Sequence, residues 1–206
     1  MPRPSNTQER RQQITEGLLS VMAKRGYEGA TIPAIARAAK LAPGLVHYHF
    51  PHKQAILLAL VDNLAGKVRS RLDRLLAATG TDPRAQLSAF IEAYVGKGED
   101  ADPAAVACWV SIGSEAVRQP EVREAYQRAV RDQLAVLEHL VSAVLASEGR
   151  STQRRREIAL GVLSAIEGAY RLIVAAPEQI HAGFAAPTLW RMAEGLVSAE
   201  PQGGRP

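Results

Sequence analysis

Between Thr31 and Lys53 the chain reads TIPAIARAAKLAPGLVHYHFPHK, a stretch that predicts two short helices around a tight turn, opening directly into a third helix. Thr31 followed by Ile32-Pro33 is a helix start: the hydroxyl can cap free backbone N–H groups, and the proline sits where a missing N–H costs nothing. Ile32, Ile35, Ala36 and Ala39 recur at helical spacing, with Arg37 and Lys40 turned outward. The second short helix carries Val46 and Phe50 inward, while Leu45, His47, Tyr48 and His49 largely face out. A helix that exposes aromatic and imidazole groups, with almost no acid nearby, suits an anionic partner. The arrangement is a helix-turn-helix, and its expected ligand is double-stranded DNA.

Charge follows the same division. Residues 1–53 hold Arg3, Arg10, Arg11, Lys24, Arg25, Arg37, Lys40 and Lys53 against Glu9, Glu16 and Glu28, whereas the remainder is nearly neutral; the formal net charge of the whole is +4. Phosphate contact requires local positive potential rather than a high chain average.

The rest reads as helix, giving an all-α fold. Gly26 stops a first helix whose apolar face is Ile14, Leu18, Val21 and Met22. A long helix runs from about Lys53 to Ala78. Further helix starts are expected at Asp82-Pro83, Asp102-Pro103, Gln119-Pro120, Ser151 and Ala186-Pro187, and Val122, Tyr126, Leu134, Leu137, Val141, Val144 and Leu145 mark one long amphipathic helix. With 206 residues, 47% of them hydrophobic, there is material for a head at 1–53 and a helical body at 54–200. The ends (1–7, 200–206) read as disordered, with a tail from 201 to 206. No uninterrupted apolar run approaches the ~20 residues needed to span a bilayer, the N-terminus lacks the apolar core of a signal peptide, and the single Cys108 fits a reducing cytoplasm. No membrane partner is expected.

The helix from Ile158 carries two apolar stripes, Ile158, Val162, Ala165, Ile166, Ala169 and Ile173 on one and Leu160, Leu163, Glu167, Tyr170 and Val174 on the other. Two faces exceed what a surface helix needs: one can pack on its own domain and the other on a second copy. Leu189, Ala193, Leu196 and Val197 add a stripe on the final helix. The expected homodimer interface is Ile158, Val162, Ile166, Ala169, Tyr170, Ile173, Leu189, Ala193, Leu196 and Val197.

The Thr31–Lys53 segment resembles the DNA-binding domain of TetR-type transcriptional regulators, whose pattern runs roughly T-x-x-x-I-A-x-x-A-G-V-S-x-G-x-L-Y-x-H-F-x-x-K. Thr31, Ile35, Ala36, Ala39, Gly44, Tyr48, Phe50 and Lys53 fall within it. Departures are Lys40 for the turn glycine, Ala42 for the capping serine and Val46-His47 for the usual Leu-Tyr; Lys40 must then take a turn conformation that glycine adopts more cheaply. The resemblance implies that Thr31 and Lys53 contact phosphates, that Tyr48 and His49 grip the backbone, and that Pro43, Gly44, Leu45 and His47 face base edges. It also implies a four-helix dimer interface, with two recognition helices about 34–36 Å apart on a pseudo-palindrome.

Other constellations have plainer readings. His47, His49 and His52 look like a metal cluster on paper, but residues two apart on a helix point about 200° away from each other and Pro51 interrupts between them; no metal and no cofactor are expected. Cys108 reads as buried and apolar rather than as a redox sensor. Arg154, Arg155 and Arg156 read as a solvated helix turn. No nucleophile–base grouping, phosphate loop or carboxylate pair stands out, so an enzyme is not expected.

Phe90, Tyr94, Cys108, Trp109, Ser111, Ile112, Glu115, Glu167 and Tyr170 each read singly as ordinary core; as a set, aromatics with a few polar groups, they fit the effector pocket that the resemblance implies for the C-terminal domain. The segments ACWVSIGSEAVRQPEVREAYQRA and SAIEGAYRLIV resemble the BetI branch of choline-responsive repressors. There Trp109 and Tyr170, with Glu115 or Glu167, would hold a quaternary ammonium by cation–π contact and opposite charge. The expected function is a dimeric repressor released from its operator by a small molecule. The alternatives are an architectural DNA-binding protein without an effector, and a ligand-binding helical protein with a degenerate head.

Overall fold

The computed structural model describes residues 6–97 and 102–203, and among them every regular element is helical apart from one isolated antiparallel bridge, Arg150 with Gln202. The helices are α1 (Asn6–Arg25), α2 (Ile32–Ala38), α3 (Pro43–His49), α4 (Lys53–Thr79), α5 (Pro83–Val95), α6 (Pro103–Ala116), α7 (Pro120–Ser147), α8 (Arg155–Ala175) and α9 (Ala185–Ser198), with a 3-10 turn at Pro177–Gln179. The chain forms two compact units, Met1–Gly66 with Asp102–Ala129, and Lys67–Ala101 with Val130–Pro206. α4 and α7 each run from one unit into the other.

In the first unit α1 packs on α2, α3 and α6. Ile14, Leu18 and Met22 of α1, Ile35 and Ala36 of α2, Val46 of α3 and Ile56, Leu57 and Leu60 of α4 are buried, as are Cys108 and Ile112 of α6. Gly17 lets α1 and α2 approach: a Cβ there would stand 2.9 Å from the Ile35 carbonyl oxygen. Gly26, at φ +67°, ends α1 in the left-handed conformation that glycine adopts without a steric cost. Buried Thr15 donates to Gln12 O (2.7 Å) and accepts from Asn63 Nδ2 (2.7 Å), tying α4 to α1.

In the second unit α8 packs on α9, and both pack on α5. Asp82 and Asp102 cap α5 and α6 through their carboxylates, each ahead of a proline in the first turn. Arg84 joins Glu148 (2.7 Å) and Glu194 (2.8 Å), linking α5 to the end of α7 and to α9.

Four expectations are corrected. The helix expected from Ser151 begins at Arg155, because Ser151 N donates to Pro201 O (2.9 Å) and Gly203 N to Gly149 O (2.8 Å), holding this backbone extended. The same pairing orders 200–203, read from sequence as part of a loose tail; Glu200 is buried, with Arg154 beside it. Residues 204–206 lie outside the described residues, as do 1–5, while Asn6 and Thr7 are helical. The last helix starts at Ala185, so Pro187 sits in its first turn.

The fourth correction concerns the expected dimer stripe. Ile158, Val162, Ile166, Ala169, Tyr170, Leu189, Ala193 and Val197 are buried inside the protomer, where α8 and α9 pack on each other and on α5. Ile173 and Leu196 alone of that set are exposed. The outward face is instead Leu160, Leu172, Ile173 and Val174 on α8 with Met192 and Leu196 on α9. Apolarity on both sides makes α8 long and apolar enough to cross a bilayer, at mean hydropathy 1.6; Glu167 and Arg171 interrupt the run, and its inner side is core.

Candidate nucleic-acid interface and effector site

α2 and α3 are each seven residues long, too short to persist without help, so the head depends on caps and on α1. Thr31 Oγ1 accepts from Ala34 N (3.3 Å), and its backbone at φ −85°, ψ 155° is a proper N-cap conformation. Ala42 has nearly the same backbone (φ −71°, ψ 143°) but no side-chain oxygen, so the start of α3 is uncapped. Between them Lys40 stands at φ +56°, the one non-glycine residue in the left-handed region among the described residues.

The exposed side of this motif is apolar, aromatic and basic. Pro43, Gly44 and His47 are exposed, and Tyr48 is 79% exposed, its ring edge-on to His49 at 5.1 Å. Leu45, expected to face base edges, and His49, expected to grip the backbone, are both half-buried. Arg37 and Lys40 are exposed, and no Asp or Glu occurs between Glu28 and Asp62. Such a surface has donors, an apolar bump and basic side chains, and the motif's own residues carry no carboxylate to repel phosphate.

Lys53 is held rather than extended: Nζ donates to Tyr27 O (2.9 Å) and lies 4.1 Å from the centre of the Tyr27 ring. Burial, then the nearby Glu115 and Glu28 carboxylates, push the Tyr27 phenol up to about 12, so the ring stays neutral beneath the ammonium. His52 Nδ1 accepts from Ala55 N (3.1 Å), making it a cap for α4. Among the described residues no three His, Cys, Asp or Glu side chains are gathered as a metal site. Arg154 pairs with Glu157 and Glu200, and Arg156 with Glu138, so this arginine run is an ion-paired helix start.

The expected effector residues fall into two sets, one in each compact unit. In the second unit Phe90 stacks on Tyr94 (4.6 Å between centres), Tyr170 OH donates to Tyr94 O (2.8 Å), and the Glu167 charge is felt at both tyrosine hydroxyls. Burial raises the pKa of both tyrosines first of all, with the Glu167 carboxylate adding to the rise. In the first unit Trp109 lies 5.0 Å from Tyr126, Ile112 is fully buried, and Ser111 is half-buried. Glu115, buried, accepts from Gln119 Nε2 (2.8 Å). Cys108 Sγ donates to Leu19 O (3.4 Å); burial, then the Asp102 charge, push its thiol up to about 12, so it is a protonated packing group.

Gln13 and Gln133 escaped the sequence reading, and Arg11 entered it only as a charge. Arg11 Nη1 donates to His49 O (2.6 Å) and Gln13 Nε2 to Ala39 O (2.6 Å). Their only signal is position, on α1 just ahead of the buried Ile14. Gln133 Oε1 on α7 is buried with no hydrogen-bond partner among the described residues.

Residues 14–60 match the family of bacterial regulatory proteins named for TetR, and residues 83–198 match the C-terminal domain of BetI-type transcriptional repressors. The HTH-type transcriptional regulator BetI of Rhizobium meliloti is 33% identical over 139 residues, 66% of this chain and 68% of that protein. Among solved structures, a transcriptional regulator from Pseudomonas aeruginosa superimposes with a TM-score of 0.79 at 19% identity, covering 95% of this chain and 94% of its own. A regulator from Saccharomonospora viridis, determined in complex with choline, gives 0.74 at 22% identity over 93% and 96%. Both likenesses are of fold. The chain belongs to the TetR family of transcriptional regulators, with an N-terminal helix-turn-helix DNA-binding domain and a C-terminal domain of the BetI type.

Proposed function

We propose that the protein is a cytoplasmic homodimeric repressor that reads a pseudo-palindromic operator through α3 and leaves it when a small molecule binds the helical body. The observation that carries the DNA half is the surface of α3: Pro43, Gly44, His47 and Tyr48 exposed together, in a stretch without acid from residue 29 to 61. Pro43, Gly44, Leu45 and His47 meet base edges, Leu45 by its accessible half against a thymine methyl. Thr31, Tyr48 and His49 meet phosphates. Lys53 does so while resting on Tyr27, a geometry that fixes the ammonium before DNA arrives. The reading function lies in 1–53 and the regulatory one in 54–200. The family is one of transcriptional regulators, which supports a regulator rather than an enzyme.

Dimerisation uses the outward face of α8 and α9. Leu160, Leu172, Ile173, Val174, Met192 and Leu196 are all exposed there, a concentration that isolated monomers rarely carry. Gly161 lies against Leu196 Cδ1, and Gly168 and Gly195 leave open space in which a second backbone can approach.

For the effector we favour a quaternary ammonium of the choline type, as in the S. viridis regulator. Phe90, Tyr94 and Tyr170 supply ring faces and Glu167 the opposing charge, the chemistry that holds such a cation; Trp109 with Glu115 is the alternative seat, with Cys108, Ser111 and Ile112 around it. The effector lowers operator affinity only as far as it prefers the non-binding conformation, and operator must weaken effector by the same factor.

Footprinting on DNA flanking the protein's own gene tests this reading. A protected pseudo-palindrome, released by choline or betaine aldehyde, is the expected result. Uniform, salt-sensitive coating would instead make it an architectural protein. No protection, with effector heat still seen by calorimetry, would make the head degenerate, for which Lys40 and Ala42 are the structural grounds.

A further inference from the structure

The C-terminal ends of both helices in the DNA-reading motif are gripped by side chains from a single turn of α1. A helix ends with carbonyls that have no intrahelical partner, and in helices as short as α2 and α3 these ends are a large part of the whole. Gln13 Nε2 donates to Ala39 O at 2.6 Å, at the end of α2. Arg10 Nη1 donates to Gln13 Oε1 at 2.7 Å, which fixes the amide so that its N–H, and not its oxygen, faces Ala39. Arg11 Nη1 donates to His49 O at 2.6 Å, at the end of α3, and the guanidinium carbon lies over the Phe50 ring, 4.0 Å from its centre. Phe50 is itself buried, so Arg11 rests on a packed side chain.

These contacts sit where the motif is weakest. The Ala39 carbonyl immediately precedes Lys40, strained at φ +56°, and α3 starts without a cap at Ala42. With no side-chain cap at its N-terminus, α3 is held by its buried Val46 and, at its other end, by Arg11, while Gln13 holds the carbonyl that leads into the turn. A cation at a helix C-terminus also complements the dipole. A lysine in place of Arg11 would keep that charge but could not lie as a plane on Phe50 while donating sideways.

Resting on the operator reading above, we propose that Arg11 and Gln13 are positioning residues for DNA recognition, setting the placement of α3 and of the α2–α3 turn and so governing operator specificity without touching a base. The alternative for an exposed arginine on this face is a direct phosphate contact, and the two roles separate cleanly. A phosphate contact adds equally to all sequences and contributes about one unit to the salt slope. A positioning contact acts only where base edges are read.

The test uses the full-length protein and the variants Arg11→Lys, Arg11→Met and Gln13→Met, the last also combined with Lys40→Gly. Affinities are measured across salt for the footprinted duplex and for a scrambled duplex of the same length, with thermal melting to verify folding. Both Arg11 variants should lower operator affinity by about ten-fold or more, the loss of one charge-assisted hydrogen bond's worth of ordering. Binding to scrambled DNA and the salt slope should stay as in the wild type. Gln13→Met should also lower the operator preference, and Lys40→Gly should restore part of it by removing the strain that Gln13 holds.

Equal loss on both duplexes with a shallower slope, reversed in Arg11→Lys, would make Arg11 a phosphate contact and overturn the inference. So would an unchanged operator preference in folded variants. If the wild type protects no sequence at all, the operator reading falls and takes the inference with it, whereas a wild-type footprint with indifferent variants overturns the inference alone.

Discussion

Ala42 offers a single-atom test of how the head is held together. Its backbone, φ −71° and ψ 143°, is within about 15° of the Thr31 cap at φ −85° and ψ 155°, so a hydroxyl added there needs no rearrangement to reach the first turn of α3. Pro43 has no N–H, and Leu45 N and Val46 N already reach Ala42 O at 3.0 and 3.4 Å. Gly44 N, two residues from the cap, is where an N-cap oxygen would accept. Ala42→Ser should therefore stabilise the head by the usual worth of an N-cap, about 1 kcal/mol. For a chain of this size that is a rise of about 2–4 °C in Tm, or a shift of the urea midpoint at constant m. Thr31→Ala is the mirror experiment, removing the existing 3.3 Å cap on Ala34 N, and should cost a similar amount. Amide exchange at α3 localises the effect. If Thr31→Ala destabilises while Ala42→Ser leaves the midpoint unchanged, the start of α3 has no donor in need of a cap and the account of a weakly anchored α3 is wrong.

Other consequences are equally specific. Gln133→Met removes a buried acceptor that has no partner among the described residues and should stabilise the free protein by about 1–3 kcal/mol; a lower urea midpoint would reveal a donor at that oxygen. Stability should decline from about pH 9 towards pH 12: the unfolded Cys108 thiol ionises near 9.0 and the folded one near 12, so its contribution is complete below 9.0 and lost as pH rises through the folded value. Alkaline titration of Cys108→Ala against wild type isolates this group, and identical pH profiles would contradict it. Leu172→Asp places a charge in the proposed dimer face, where Leu172 is 48% exposed in the protomer; a buried unpaired charge costs several kcal/mol, and light scattering at micromolar concentration should report monomer. A dimer that persists would move the interface elsewhere.

What was legible in the sequence was local chemistry. Asp82-Pro83 and Asp102-Pro103 announce helix starts because the cap and the proline act within one turn, and they are where α5 and α6 begin. Lys40 betrays its positive φ because a turn residue must take that conformation whatever its side chain. Where distant segments decide, the pattern was silent. Ser151 looks like a cap, but its N–H is claimed by Pro201, which no window around residue 151 contains. The two apolar faces of α8 were visible, yet which one is core depends on where α5 and α9 arrive. Arg11 looks like any solvated arginine until His49, 38 positions away, is brought beneath it. The effector residues share a composition rather than a spacing, so sequence could gather them but not divide them between the two units.

The central claim is that two copies of α3 read one divided site. The most direct measurement is the Kd for the footprinted duplex against the same duplex with one half-site scrambled, over a range of salt. The account predicts that scrambling one half raises Kd by at least about a thousand-fold at physiological salt, approaching the nonspecific value, with half-site centres one helical turn or a multiple apart. Equal affinity for the intact and half-scrambled duplexes, at every salt concentration, would contradict it.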